Sequence, residues 1–244
     1  MVVDPGTKRL VRNPAESVLD TADEYGVELA LQLVEQHGGE VTVVTMGPAA
    51  ADDALRRALA MGANHAIHLL DDALAGSDAL GTARALAAAI APLGADLIIC
   101  ATESTDAYSG MVPGALAELL ELPQLTFARE ASVEGTTLTV KRAVDTGIQT
   151  IQATLPALLS VTASIAEPRY PTFRGLMQAK RVAVQTKSLA DLGLDPSQVG
   201  AAGAQERVTE ITTQTVEKQG VKIHDEGGDS VEQIIAYLKR IEVI

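Results

Sequence analysis

The residues best suited to chemistry sit together in Ala101-Thr102-Glu103-Ser104-Thr105-Asp106-Ala107-Tyr108-Ser109-Gly110. This hydroxyl- and carboxylate-bearing stretch follows an apolar run, Leu97-Ile98-Ile99-Cys100, long enough for a strand buried on both faces. Beyond it, Ser109-Gly110 opens a predicted helix with Val112, Ala115, Leu116 and Leu119 at the i, i+3, i+4, i+7 positions of one face. A buried parallel strand, a polar loop and a helix start together make an anion site. The first N–H groups of the helix lack partners, and its dipole favours a phosphate. Such sites lie beyond the carboxyl ends of strands in open α/β sheets. The competing reading is a plain strand–loop–helix connection with no ligand.

No catalytic constellation stands beside it. The chain has no G-x-S-x-G elbow, no G-x-x-x-x-G-K-S/T loop and no G-x-G-x-x-G turn. His65 and His68 flank a predicted strand at an odd separation, so they point to opposite faces and do not converge on a metal. With His37 and His224 they read as solvated or turn residues. Cys100, at a strand end without a nearby base, reads as core rather than nucleophile. Asp52-Asp53 and Asp71-Asp72 are helix-start acids matched to the macrodipole. Binding is therefore favoured over catalysis, and no metal site is expected. Phe173 is anomalous in Tyr170-Pro171-Thr172-Phe173-Arg174-Gly175-Leu176: it is either core or an apolar loop anchor rimmed by Arg169 and Arg174.

The elements that position these residues follow from composition and rhythm. With 244 residues, 47% of them hydrophobic, the chain can bury one large α/β core. Aromatics are 2%, so that core is aliphatic and alanine-rich. A net charge of -13 argues against nucleic acid, and the absence of Trp removes the usual stacking platforms. The one cysteine cannot form an internal disulfide, no signal-peptide pattern is present, and no apolar run approaches the roughly 20 residues of a membrane span. A cytoplasmic setting without membrane insertion is expected.

Helices are predicted over Asp23–Gln36, Ala51–Met61 and Asp78–Leu93, alternating with strands Glu40–Thr45, Ala66–Leu70 and Leu97–Cys100. Asp20, Thr21 and Asp23 are candidate caps for the first helix, and Gly62 ends the second. This alternation implies right-handed crossovers and a parallel sheet. Leu125–Ala131, Thr137–Val144, Ile148–Thr154 and Ala157–Thr162 then come at hairpin spacing, which predicts antiparallel strands attached to it. Glu167–Arg181 reads as a loop entering a basic helix. Gly200–Gln205 reads as a small-residue linker, Val208–Thr215 and Gly220–His224 as strands able to pair. Ser230–Ile241 reads as a final helix with a Ser230/Gln233 capping box and a Val231, Ile234, Ile235, Leu238 stripe. The fold class is α/β: a doubly wound, mostly parallel sheet with antiparallel strands and a C-terminal extension.

Several segments, in order, resemble the beta subunit of electron transfer flavoprotein along essentially the whole chain. They are Asp23-Glu24-Tyr25, Val43-Val44-Thr45-Met46-Gly47-Pro48, Ala58-Leu59-Ala60-Met61-Gly62-Ala63 and Asp71-Asp72-Ala73-Leu74-Ala75-Gly76-Ser77-Asp78. Ser104-Thr105-Asp106, Glu167-Pro168-Arg169-Tyr170-Pro171, Ala179-Lys180 and Ser188-Leu189-Ala190-Asp191-Leu192-Gly193 complete the set. The resemblance implies a nucleotide-binding fold of the adenine nucleotide alpha hydrolase type over residues 1–187. Residues 188–244 would form an arm contacting the partner subunit. It implies a non-catalytic subunit of a heterodimer whose alpha subunit holds most of the FAD site. The beta subunit would bind a structural AMP. Electrons would pass from acyl-CoA and other flavin dehydrogenases, as in fatty acid oxidation, to a membrane-associated quinone oxidoreductase.

By match to the family, the AMP contacts fall on Asp20, Thr21, Ala22 and Asp23, on Met46, and on the loop from Ala101 to Gly110. The dehydrogenase-recognition residues fall on Tyr170, Phe173, Arg174, Leu176 and Met177. The chain departs from many relatives where Gly-Asp-Thr-Gly-Gln is replaced by Ala107-Tyr108-Ser109-Gly110-Met111, which keeps a hydroxyl and a glycine. Tyr108 is placed there to cover an adenine or fill its space. Asp20-Thr21-Ala22 stands where some relatives have Asn-Pro-Phe, and Ala143 where some have a Glu serving the flavin. Two other readings remain open: a bifurcating or nitrogen-fixation-type beta subunit holding a second FAD in place of AMP, and a free-standing nucleotide-binding protein of the universal-stress type. Relatives begin with an apolar strand that is nearly absent before Asp4-Pro5, so the resemblance also leads us to expect such a strand upstream of Met1.

Overall fold

The computed structural model describes residues 2–4, 6–8, 10–11, 18–163, 165–212, 222 and 227–243. In chain order the elements begin with β1 (Val2–Val3), β2 (Leu10–Val11), α1 (Thr21–His37), β3 (Thr42–Met46), α2 (Asp52–Met61), β4 (His65–Leu69) and α3 (Ala79–Ile90). They continue with β5 (Leu97–Ala101), α4 (Val112–Leu119), β6 (Gln124–Ala128), β7 (Glu130–Glu134), β8 (Thr137–Val144), β9 (Gly147–Thr154) and β10 (Ala157–Val161). Then follow α5 (Phe173–Ala179), β11 (Val184–Lys187), α6 (Leu189–Leu192), α7 (Gly200–Gly203) and α8 (Ser230–Arg240).

Six strands run parallel in two sets of three, ordered β11-β4-β3 and β5-β10-β6. Alternation along each strand sends neighbouring side chains to opposite helical layers. On β4, Ala66 packs with Leu31, Leu55 and Leu59 of α1 and α2, while Ile67 and Leu69 pack with Ala85 and Ala89 of α3. On β5 and β10, Ile98 and Leu158 meet Ala83, Leu116 and Ala117 of α3 and α4; Leu159 and Val161 meet Leu29 of α1. The same two helical layers thus enclose both sets of strands. This is the mixed α/β, doubly wound arrangement that the alternation of elements predicts. The core is aliphatic, as two phenylalanines in the chain require.

β7, β8 and β9 form an antiparallel meander. The hairpin spacing misassigns their neighbours. Residues 125–128 and 157–161 lie in parallel strands, because β10 leaves the meander and inserts between β5 and β6. All five residues of β10 are buried, as a central strand requires. β1 and β2 pair antiparallel as a separate two-stranded piece.

Contacts divide the chain into two units, Met1–Thr209 and Glu210–Ile244. Within the first, Gly200–Gln205 is not a linker. Gly200 has φ +61, and a Cβ there would lie 1.9 Å from the Ala73 carbonyl oxygen; its N–H donates to Ser77 Oγ at 2.7 Å. The small residues serve close packing, with Val199 fully buried. In the second unit α8 is capped one residue earlier than expected. Asp229 is the N-cap without a side-chain cap bond, and its Oδ2 accepts from Gln233 Nε2 at 2.8 Å. Val231, Ile234 and Ile235 on its apolar stripe are exposed. The described part of Val208–Thr215 forms no strand, and Gly220–His224 lies outside the described residues apart from Lys222. No helix among the described residues is long and apolar enough to cross a membrane.

Candidate functional site

α1 crosses β5 and β10 at Gly26, which faces Ile99 and Val161: a Cβ there would make ordinary contact with them, at 3.4 and 3.7 Å. The crossing brings the N-terminus of α1 beside the carboxyl end of β5, where Asp20 meets Thr105. Asp20 is the N-cap, its Oδ1 accepting from the Ala22 N–H at 2.9 Å. Its other oxygen accepts from the Thr105 N–H at 2.8 Å and from Thr105 Oγ1 at 2.7 Å. One carboxylate therefore caps α1 and ties down the loop after β5. Partial burial raises the Asp20 carboxyl, but the bonds from Thr105 and Ala22 outweigh it and hold the group below the usual carboxylate range. Thr102 Oγ1 donates to the Val161 carbonyl at 2.9 Å and fixes the loop's first residue to β10.

Asp23, in the first turn of α1, keeps a solvent-exposed side. Its carboxyl is pushed up to about 6 by loss of hydration and by the charges of Asp20 and Asp106, against the Ala101 N–H that donates to it. The native chain thus holds more protons than the unfolded one between about pH 4 and pH 6. The associated stability is full below that window and is lost as pH rises through it. Asp23→Asn keeps an acceptor for Ala101 and removes the charge. Thermal melting is expected to show it more stable than wild type at pH 7.5, by about 1–3 °C, with the difference gone at pH 4. Burial and Asp23 push the Cys100 thiol up to about 12, which keeps it protonated and inert.

The loop does not run directly into a helix at Ser109-Gly110. Tyr108 and Gly110 both take left-handed backbone, at φ +49 and +61, and α4 starts at Val112 with Pro113 in its first turn. The N–H groups of Ser109, Gly110, Met111 and Val112 have no acceptor among the described residues. They form a row of free donors at a helix start, an arrangement that attracts an anion. Tyr108 is 62% exposed. Ala101 is buried, while Glu103, Ser104, Ala107 and Thr21 face solvent. Met46 ends β3 and packs with the cluster around Ile67, Leu69 and Leu74.

His68 is buried rather than solvated, its Nε2 lying 3.0 Å from the Gly47 carbonyl oxygen. His65 lies on the surface beside Glu40. No group of three or more His, Cys, Asp or Glu side chains among the described residues is arranged to hold a metal.

A second surface surrounds α5. Thr172 caps it, accepting from the Gly175 N–H at 3.0 Å, so Phe173 begins the helix and points away from the body of the unit. Phe173 is 81% exposed and is not core. Tyr170, Leu176 and Met177 are exposed beside it, and Phe173, Arg174, Met177 and Arg181 line a shallow cleft. Arg169 does not rim this surface. It turns inward to Glu28, a residue buried in α1 that the sequence reading passed over. A charged residue one turn from Leu31 on the inward side of a helix signals a hidden partner.

The family model described as electron transfer flavoprotein domain matches residues 7–192. Electron transfer flavoprotein subunit beta from Mycobacterium leprae is 44% identical over 245 residues, which cover 98% of this chain and 92% of the relative. The protein of the same name from Thermoanaerobacterium thermosaccharolyticum is 35% identical over 243 residues, 99% of this chain and 94% of the relative. That from Megasphaera elsdenii is 33% identical over 253 residues, with the same coverage of each chain.

Proposed function

Because the chain belongs to the electron transfer flavoprotein family, as a beta subunit, we propose that it pairs with an alpha subunit and holds a structural AMP at the carboxyl end of β5. The observation that carries this reading is the row of unpartnered N–H groups from Ser109 to Val112. Four backbone donors at a helix start suit a phosphate, which needs several hydrogen bonds and a favourable dipole. The carboxylates of Asp20 and Asp23, at the start of α1 beside the same loop, suit hydroxyl donors such as those of a ribose.

FAD, held mainly by the alpha subunit, supplies the one- and two-electron chemistry. This chain's residues supply placement. Asp20 fixes the nucleotide loop through Thr105, and α5 presents Phe173 to acyl-CoA and other flavin dehydrogenases. Electrons then go on to a quinone oxidoreductase at the membrane, and the beta subunit itself performs no catalytic step. The setting is cytoplasmic.

Co-expression with an alpha subunit, followed by acid release and mass identification of the bound nucleotides, tests the reading. One FAD and one AMP per heterodimer are expected. Two FAD per heterodimer would replace AMP with a second flavin, as in bifurcating relatives. A chain that binds nucleotide but never an alpha subunit would be free-standing.

A further inference from the structure

Glu167–Pro171 has no helix or strand, yet it carries Tyr170, which is 89% exposed, and leads into Phe173 at 81%. Neither side chain has packing of its own to hold it. Among the described residues, every hydrogen bond from Glu167–Pro171 to the rest of the unit runs through Arg169. Its Nε donates to Glu28 Oε2 at 2.8 Å and its Nη2 to Glu28 Oε1 at 3.0 Å. Its main-chain N–H donates to the same Oε2 at 3.1 Å, and its Nη1 to Glu35 Oε1 at 2.5 Å. Glu28 is 3% exposed, and Gln32 Nε2 completes its shell at 2.8 Å. A two-pronged guanidinium–carboxylate pair with a main-chain bond fixes both the direction and the height of the residue that carries it. Glu28 is buried on α1 next to Leu29, which packs against Leu159 and Val161 of β10 and anchors the helix there.

We infer that Arg169 is a positioning residue: clasped to Glu28 and Glu35, it holds Tyr170 and Phe173 ready for the flavin dehydrogenase that docks there. The inference rests on the reading of this surface given under Proposed function. A docking loop that is already ordered does not lose its freedom on binding, so the clasp acts on affinity rather than on the electron-transfer step.

The test uses the heterodimer carrying Glu28→Gln, and separately Arg169→Lys, with thermal melting to confirm that both fold. Arg169→Lys keeps the charge without the fork. Amide hydrogen exchange at Arg169, whose N–H is bonded to Glu28, and at Leu176 in the first turn of α5 is expected to quicken about tenfold or more in Glu28→Gln, with exchange in β5 and β10 unchanged. With an acyl-CoA dehydrogenase as donor, its KM is expected to rise about tenfold while kcat and flavin content stay at wild-type values. Arg169→Lys is expected to fall between wild type and Glu28→Gln. Unchanged exchange overturns the clasp. Faster exchange with unchanged KM overturns its role in docking, as does a fall in kcat that tracks flavin loss. A wild-type complex that takes no electrons from the dehydrogenase overturns the assignment of the surface and this role with it. An active wild type matched by both variants overturns the clasp alone.

Discussion

Gly110→Val is expected to strip the heterodimer of its adenine nucleotide while leaving FAD in place. Gly110 stands at φ +61, where a β-branched residue is strained. The space around it is not the obstacle, since the nearest atom to an added Cβ would be Glu103 Oε2 at 3.7 Å. The backbone is. To relieve the strain, roughly 1–3 kcal/mol, the peptide planes on either side must turn. The N–H groups of Ser109 to Val112 would then be reoriented. At about 1.4 kcal/mol per decade, that strain corresponds to roughly a tenfold to hundredfold loss of affinity. Asparagine tolerates the left-handed region, so Gly110→Asn should retain most of the nucleotide. Nucleotide released by acid and counted per heterodimer checks both variants. AMP at wild-type occupancy in the valine variant would falsify the placement of the phosphate.

Phe173→Ala is expected to slow electron acceptance from an acyl-CoA dehydrogenase by about tenfold or more, since aromatic anchors at interface centres carry about 2 kcal/mol or above. The ring is 81% exposed, so its removal opens no cavity and the melting temperature should stay where it is. Flavin content and heterodimer recovery should also be unchanged. Stopped-flow reduction of the heterodimer by the reduced dehydrogenase measures the effect. A variant that accepts electrons at the wild-type rate would move the recognition surface elsewhere.

The local signals in the sequence were dependable where the governing contacts were themselves local. Gly62 ends α2 with positive φ, Asp78 caps α3, and the four apolar residues Leu97–Cys100 lie within β5. Signals failed where a distant partner decides. Nothing in Ala157–Val161 says that it leaves the meander for a place between β5 and β6. That pairing joins it to Leu97–Ala101 and Gln124–Ala128, far back in the chain. The cap at Asp229 lost to Ser230 in the sequence pattern because both fit the spacing. Ser109-Gly110 resembled a helix start because hydroxyl and glycine are good caps, although Pro113 gave the better marker. For the candidate site, Asp20 and the polar loop were legible by type. Their junction through Thr105 was not, since it spans 85 residues. The bond between Arg169 and Glu28 spans 141, and only a charged residue on the inward side of α1 hinted at it.

Gly175 lies so close to α2 that an added Cβ would stand 2.3 Å from the Ala60 carbonyl oxygen. Main chain rests on main chain at this point, and no side chain sets the spacing. The perch beneath Phe173 is therefore indifferent to what decorates the outer surface of α5. Arg174 and the exposed parts of Leu176 and Met177 face outward, whereas even alanine at 175 must dislodge the helix. A protein that serves several donors gains from such a division. On the proposed docking surface, the glycine sets the geometry of α5, and its outward neighbours are the positions at which partner preference would be tuned. A library randomised at 174, 176 and 177, with 175 held as glycine, is the natural starting point for redirecting the subunit to a chosen dehydrogenase.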